Sequence, residues 1–446
     1  MLAALCATAA RAEPEELSIK GSNTVGGVLM PALIEGWIGA SGWTYAPDEA
    51  GETAARLNAA ALDGGEPRLR IALERLGSST SFKALADGSA EIGMSSRAIK
   101  DAEAETLGAS GVDMRGEASE HVIALDGLAL IVSPQNPLLT ISPEEAAQVF
   151  SGEIADWRAF RQRARPIRVH ARDDQSGTFD TFNSLALKPF GKEISPTALR
   201  YFSNAEIITQ VSADPDAIGF VPLGYVRDVR ALTIALECGL IVAPDAFTVK
   251  SEEYPLGRRL HLYTIGAPRS AAARQLVAFA KSDAAQPLVA EAGFVTQSLE
   301  RQSRDAFSNH LLSAMGLAAD EAQRTALQRL FQFSGDSDRL SITFRFQNES
   351  DLLDAKSLTD AGRLARWLEQ PENRSGVVRL MGFGDGPELS TARAEAARRA
   401  ILINSAPGFD ASRIETYGFG DAAPVACPAA RGAARSNRRV EVWVSR

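Results

Sequence analysis

Cysteine is scarce in this 446-residue chain, which carries three: Cys6, Cys238 and Cys427. Cys6 lies in the first dozen residues and the other two stand far apart, so no disulfide framework is indicated and they read as two separate buried thiols. Histidine is nearly as rare. His121, His170, His261 and His310 show no spacing that would set a metal-binding pair on one helix face, and neither a metal nor a cofactor is expected. Excess positive charge is missing too: the formal net charge is -9, which argues against a general nucleic-acid binder. It does not argue against binding one small anion, because a buried site is governed by its local donors. Beyond the N-terminus no apolar run is long enough to span a bilayer. Neither a G-x-S-x-G elbow nor a G-x-x-x-x-G-K-[ST] loop occurs, and no enzyme is expected.

What is present is the composition of a globular protein, 45% hydrophobic and 23% charged, at a length that suggests two or three domains. Met1–Ala12 is a short apolar stretch ending in Ala10-Arg11-Ala12, a small-x-small pattern that reads as a signal peptide for export. Residues 13–300 form the first large unit. Short apolar runs at Leu17–Lys20, Glu91–Met94, His121–Val132, Ile167–Ala171 and Ala217–Pro222 alternate there with helical patterns such as Val25, Leu29, Leu33 and Trp37. Such alternation predicts α/β layers. Residues 301–335 read as a polar linker containing a helix, and 336–446 as a small α+β unit of order β-α-β-α-β-β.

Two stretches put small hydroxyl and glycine residues at a predicted helix start: Gly21-Ser22-Asn23-Thr24-Val25-Gly26, and Ser176-Gly177-Thr178 after Arg172. Free backbone N–H groups and added hydroxyls there suit an anion, and a guanidinium matches two oxyanion oxygens. Ordinary serine and threonine capping explains either stretch taken alone. Two more small-residue clusters, Gly77–Ser81 and Ser95-Ser96-Arg97, could equally be turns.

The ordered set GSNTVGGVLMPALIEGW (21–37), GSSTSFKAL (77–85), AEIGMSSRAI (90–99), IALDGLALIVSPQNPL (123–138), VFSGEIADW (149–157), RDDQSGTFDTF (172–182), DAIGFVPLGYV (216–226) and EAGFV (291–295) resembles the phosphate-binding proteins of ABC importers. That resemblance implies the two-lobed type II periplasmic-binding fold, with one lobe from about 17–110 and 220–300 and the other from about 115–215. Carried over by position, it implies an oxyanion held by Thr24, the Val25 amide, Ser78, Ser96, Arg172, Ser176, the Gly177 amide and Thr178. Some members carry an aspartate where Ser96 stands, so selectivity for phosphate over sulfate is left open. Arg97 is placed on the rim or in a structural pair.

The C-terminal stretches ITFRFQNESDLLD (342–354), MGFGD (381–385), LSTARAEAARRAIL (389–402), RIETYGFGDAAPV (413–425) and NRRVEVWV (437–444) resemble the OmpA-like peptidoglycan-binding domain. By that resemblance Asp385 and Arg393 clasp the diaminopimelate of the cell-wall peptide, and Asn437, Arg438 and Arg439 form the terminal basic motif. The loop after Asp385 is short for the family, with Gly386 and Pro387 in the gap. The pairs Arg398-Arg399 and Arg438-Arg439 read as solvated surface charges.

Together the resemblances imply a periplasmic protein of a Gram-negative bacterium that binds phosphate or a similar oxyanion for an inner-membrane ABC permease. Its C-terminal domain would associate it with peptidoglycan or the outer membrane. The alternatives are a structural envelope protein with a vestigial ligand site, or a phosphate-ester hydrolase using Ser176 with His170 as base.

Overall fold

The computed structural model describes residues 14–51, 53–61, 68–174, 176–302, 314–347, 349–428 and 433–445. The signal-peptide reading of 1–12, Gln175 and His310 lie outside the described residues. Among the described residues fourteen strands precede the C-terminal unit: β1 Glu15–Gly21, β2 Trp43–Ala50, β3 Ala54–Ala61, β4 Leu69–Arg75, β5 Ile92–Ser95, β6 Glu120–Val132, β7 Thr140–Ile141, β8 Arg168–Arg172, β9 Leu199–Tyr201, β10 Ala217–Pro222, β11 Arg230–Ala231, β12 Thr233–Ala235, β13 Ile241–Val242 and β14 Gly257–Tyr263. Ten of them run in the order β2-β3-β4-β1-β5-β14-β6-β10-β8-β9, with β11 paired to β6; β13-β12-β7 form a separate small sheet.

Strand β6 explains how one continuous ladder makes two lobes. Its thirteen residues are all buried. The first half pairs with β14, from Glu120↔Tyr263 to Gly127↔Gly257, and the second half pairs with β10, from Leu128↔Pro222 to Val132↔Ile218. Ile123 and Ala124 belong to a core with Leu17, Ile71, Leu260 and Leu276, whereas Leu128, Leu130 and Val132 belong to a core with Phe150, Trp157, Phe182 and Phe220. Strands β6 and β14 are therefore the crossing between the lobes. Two extended strands that pass between separately packed cores are the ordinary material of a hinge.

The predicted division of the chain between lobes needs correction. Leu232, Ile234, Val242, Val249, Tyr254 and Leu256 pack in the second core, so the chain returns to the first lobe only along β14 and not near residue 220. The reason is partner choice: β10 runs antiparallel to β6 but parallel to β8, which keeps the following segment beside the second lobe. Alternation along a sequence shows that a strand exists, not which sheet it joins.

Helix starts follow the local chemistry. Ser142 and Glu145 form a reciprocal capping box at Pro143–Ser151, and Ser203 with Glu206 does the same at Asn204–Ala213. In the C-terminal unit, strands β15 Ser337–Phe344, β16 Val378–Phe383, β17 Ile414–Gly418 and β18 Arg439–Ser445 form a sheet of order β15-β18-β16-β17. Helices Ala355–Leu368 and Gly386–Asn404 cover one face, where Leu364 and Ala397 meet Leu380 and Val442. The helix Glu321–Ser334 covers the other, with Leu327 and Leu330 in a cluster with Met381, Phe383 and Trp443. Among the described residues no helix is long and apolar enough to cross a membrane.

Cys238 and Cys427 are joined in a disulfide, their Cα atoms 5.6 Å apart. This overturns the reading of two separate thiols. The two cysteines lie 189 residues apart and meet only because the C-terminal unit docks beside the turn between β12 and β13.

Candidate functional site

Three strands of the first lobe, β4, β1 and β5, are adjacent and parallel, so their carboxyl ends share one edge of the sheet. Open α/β sheets hold ligands outside that edge. The chain leaves β4 into Gly77-Ser78, β1 into Ser22-Asn23-Thr24, and β5 into Ser96. Gly21 makes the close approach possible: its φ is +142°, and a Cβ there would meet the Met94 carbonyl oxygen at 2.1 Å. Ser78 and Ser96 are brought together, with their Oγ atoms 3.2 Å apart and the Ser96 amide donating to Ser78 Oγ at 3.1 Å. The Val25 amide donates to Ser22 Oγ at 3.4 Å. Arg97 turns away from this edge into a two-pronged ion pair with Glu103, at 2.8 and 2.7 Å, beside the Phe82 ring.

In the second lobe Arg172 ends β8, and Ser176 caps the helix Gly177–Phe182 by accepting from the Thr178 and Phe179 amides at 3.2 and 3.4 Å. The Arg172 guanidinium is held by Asn204 Oδ1 (3.1 Å), the Tyr201 carbonyl (3.3 Å) and Asp173 (3.5 Å). Among the described residues no hydrogen bond links it to Thr24, Ser78 or Ser96. His170, considered as a base for Ser176, is buried and stacked on Tyr201 at 5.5 Å. Burial lowers its pKa, and its ring nitrogens make no hydrogen bond among the described residues.

The lobes touch at Thr24 and Gly177. Thr24 Oγ1 donates to the Gly177 carbonyl at 3.2 Å, and a Cβ on Gly177 would lie 2.7 Å from Thr24 Oγ1 and 2.8 Å from its Cα. Around this contact stand three residues that sequence reasoning missed. Arg258, on β14, donates to Thr24 Oγ1 at 3.1 Å and pairs with Asp126 of β6 at 3.2 Å. Thr181 donates to the Gly177 carbonyl at 2.7 Å and lies 3.4 Å from Asp126. The sequence signal was faint: Arg258 sits in the polar-looking run Gly257-Arg258-Arg259, with nothing to mark its side chain as buried.

The C-terminal candidates also converge. Asp385 Oδ2 accepts from Arg393 at 2.6 Å and forms an ion pair with Arg438 Nε at 2.7 Å. Burial opposes the charged carboxylate, but the bonds from Arg393 and Arg438 outweigh it and hold the Asp385 pKa below its ordinary value. Arg393 is 0% exposed and further donates to the Ser350 and Gly384 carbonyls, at 3.0 and 3.2 Å. The reading of solvated arginine pairs is corrected in part. Arg439 is buried because strand alternation turns it onto the same face as Glu441 and Trp443; it donates to Glu441 at 2.8 Å and to the Ala423 carbonyl at 2.7 Å. Arg438 is half-buried by its pairs with Asp385 and Glu349 (3.0 Å). Arg398 is likewise tied down by the Ile414 and Ala411 carbonyls, whereas Arg399 is exposed. Asn437 is spent inside the unit, where its side chain binds the backbone of Val425 and Ala426.

Two α/β lobes joined by crossing strands, with polar loops of both meeting in the cleft, define a two-lobed binding protein of the periplasmic-binding type. The family model described as PBP superfamily domain matches residues 46–313, and the chain belongs to that family. Phosphate-binding protein PstS of Bacillus subtilis (strain 168) is 27% identical over 241 residues, 54% of this chain and 75% of that protein. Protein SphX of Synechococcus elongatus is 29% identical over 231 residues, 49% of this chain and 66% of that protein. A crystal structure of an ABC-type phosphate transport receptor from Vibrio cholerae is 24% identical, with a TM-score of 0.48, covering 63% of this chain and 99% of that one.

Proposed function

We propose that the cleft binds phosphate or a closely similar oxyanion, and that the protein presents it in the periplasm to an inner-membrane ABC permease without chemistry on the ligand. One observation carries the reading: Thr24, Ser78 and Ser96 follow three adjacent parallel strands of one lobe, Arg172 ends a strand of the other with Ser176, Gly177 and Thr178 beyond it, and Thr24 touches Gly177 across the cleft. Hydroxyls, backbone amides and one guanidinium converging from two sides suit an oxyanion. An anion bridging the lobes favours the closed arrangement by differential contacts. The relatives named as phosphate-binding proteins, in Bacillus subtilis and Borreliella burgdorferi, support the same ligand. The proposed contacts are Thr24, the Val25 amide, Ser78, Ser96, Arg172, Ser176, the Gly177 amide and Thr178.

The finer part of the proposal is that the C-terminal unit is an OmpA-like domain that tethers the protein to peptidoglycan. Asp385 would meet the diaminopimelate ammonium, and Arg393 and Arg438 its carboxylate. Their grouping supports this, although a ligand ammonium must compete with both arginines for Asp385. A second reading, an envelope protein with a vestigial site, is favoured by one feature. Arg172 has three protein partners, and the Val25 and Thr178 amides are taken by serine side chains.

A thermal melt of phosphate-stripped protein, titrated with phosphate and separately with sulfate, tests both readings. A ligand at about a hundredfold its Kd adds about 2.7 kcal/mol to the domain that binds it. A shift with phosphate that disappears in Arg172→Ala supports the proposal. Equal shifts with both anions keep the site and remove its selectivity, and no shift with either favours the vestigial reading. Asp385→Ala should weaken pull-down on cell-wall material and leave the phosphate shift unchanged; undiminished pull-down sinks the proposed clasp.

A further inference from the structure

The contacts at the cleft floor link both lobes and both hinge strands. Arg258 on β14 reaches two ways with one planar fork: Nε to Asp126 on β6 at 3.2 Å, and Nη2 to Thr24 Oγ1 in the first lobe at 3.1 Å. The Thr24 hydroxyl donates a hydrogen bond to the Gly177 carbonyl of the second lobe at 3.2 Å. The same carbonyl accepts from Thr181 at 2.7 Å, and the Thr181 hydroxyl lies 3.4 Å from Asp126, which returns the path to Arg258. The Arg258 and Asp126 side chains are only 9% and 4% exposed. A charge-assisted pair in such a place is far less screened than one on the surface.

We propose that Arg258 is a positioning residue for the ligand cleft: with Asp126 as its anchor and Thr181 as its partner across the hinge, it forms a latch that aligns Thr24 against Gly177 and sets how far the lobes close. This rests on the oxyanion reading of the cleft and deepens it. The Thr24 hydroxyl has one hydrogen to donate, and in the latched state it is donated to the Gly177 carbonyl. Its oxygen meanwhile accepts from Arg258. In this arrangement the hydroxyl proton of Thr24 serves closure, and the donors facing the anion come from the other proposed contacts. The latch also places a guanidinium, paired with Asp126, at the floor of the cleft beside Thr24. A ligand's negative charge that draws on Arg258 through Thr24 stabilises the closed lobes further, which couples occupancy to hinge position.

The test separates the fork from the charge. Arg258→Lys keeps a positive charge beside Asp126 but replaces the planar fork by one ammonium, which cannot reproduce the spaced Nε bond to Asp126 and Nη2 bond to Thr24. Thr181→Val removes a latch hydroxyl from a residue outside the proposed anion contacts. The readouts are small-angle scattering of the phosphate-free protein and calorimetric titration with inorganic phosphate. Both variants should scatter as a more open molecule and bind phosphate more weakly, Arg258→Lys by about tenfold or more, with melting temperatures of the phosphate-free protein near that of the parent. If Arg258→Lys is poorly folded, the double variant Arg258→Met with Asp126→Leu removes both charges at once, a replacement that a buried pair generally tolerates. Parent-like scattering and parent-like affinity in Arg258→Lys and Thr181→Val overturn the latch while leaving phosphate binding in place. If the parent itself binds no phosphate but the variants still scatter as more open, the latch stands and the oxyanion reading falls.

Discussion

The contact between the two lobes and the contact between the C-terminal unit and the lobes are built from different materials. Across the cleft the described links are a few hydrogen bonds about Thr24 and Gly177 and the ion pair Arg258–Asp126. The C-terminal unit is fixed to the second lobe by the disulfide Cys238–Cys427 and by Arg339, which pairs with Glu253 of that lobe and with Glu441 at 3.1 Å. Arg259 on the hinge strand β14 meets Glu252 at 2.9 Å and Asp354 at 2.7 Å. The Asp354 carboxylate also caps the helix Ala355–Leu368, so the same residue starts a helix and joins two units. On the first lobe Asp283 faces Arg363 and Arg366 at 3.6 and 3.3 Å. A few exchangeable hydrogen bonds suit an interface that opens in service. Buried charges that would lose their partners on separation, backed by a covalent bond, suit one that stays shut. The C-terminal unit thus sits as a brace over both lobes, and hinge motion must occur beneath it.

The contrast can be broken most strongly at Arg339. Arg339→Met leaves Glu253 buried without its arginine and should cost about 3–5 kcal/mol, read as a lowered denaturant midpoint, with phosphate affinity in the surviving folded fraction unchanged. Next comes the covalent link. Replacing Cys238 and Cys427 by alanine should cost about 2–4 kcal/mol and expose the Cys427 segment to protease; equal stability with and without reductant would mean that the ion pairs alone hold the brace.

Acid should separate the regions in order. His121 and His261 lie on the hinge strands, and burial pushes both down to about 3 from the ordinary 6.5. The unfolded chain takes up their protons first, so stability is lost progressively as pH falls below about 6.5 toward about 3. Glu252 behaves oppositely. Burial disfavours its charge, but Arg259, Lys356 and Arg345 more than compensate and hold its pKa well below the ordinary carboxylate range. Its stabilisation is present above that ordinary range and is lost only as pH falls through the depressed value. Hydrogen exchange as a function of pH should therefore show β6 and β14 loosening around His121 and His261 before the contacts of Glu252 with Arg259, Lys356 and Arg345. The smallest effect sharpens the cleft side: Gly177→Ala, whose new Cβ would press on Thr24 when the lobes meet, should weaken phosphate binding about tenfold with little change in the melting temperature of the free protein.

Much of the architecture was legible because it is local. Strands β1, β6 and β10 follow from short apolar runs, and the helix begun by Ser142 from capping, within a few residues. The β-α-β-α-β-β order of the C-terminal strands and helices was readable for the same reason. Ser78 with Ser96, and Asp385 with Arg393, were picked out by motif and do meet in space. The hairpin β2–β3 was not legible: Ala54–Ala61 is rich in alanine, whose intrinsic preference is helical, and only its pairing between β2 and β4 makes it a strand.

By itself, then, the sequence determined several of the strands, where some helices begin, and which small polar residues stand at their ends, since each depends on neighbours a few positions away. Only the tertiary structure decided which lobe residues 232–256 join, that Cys238 finds Cys427, that Arg393 and Arg439 are buried, and that Arg258 stands under Thr24. The physical reason is that burial, pairing and covalent linkage between distant residues are properties of packed surfaces. The pattern along the chain carries no record of which surfaces will meet.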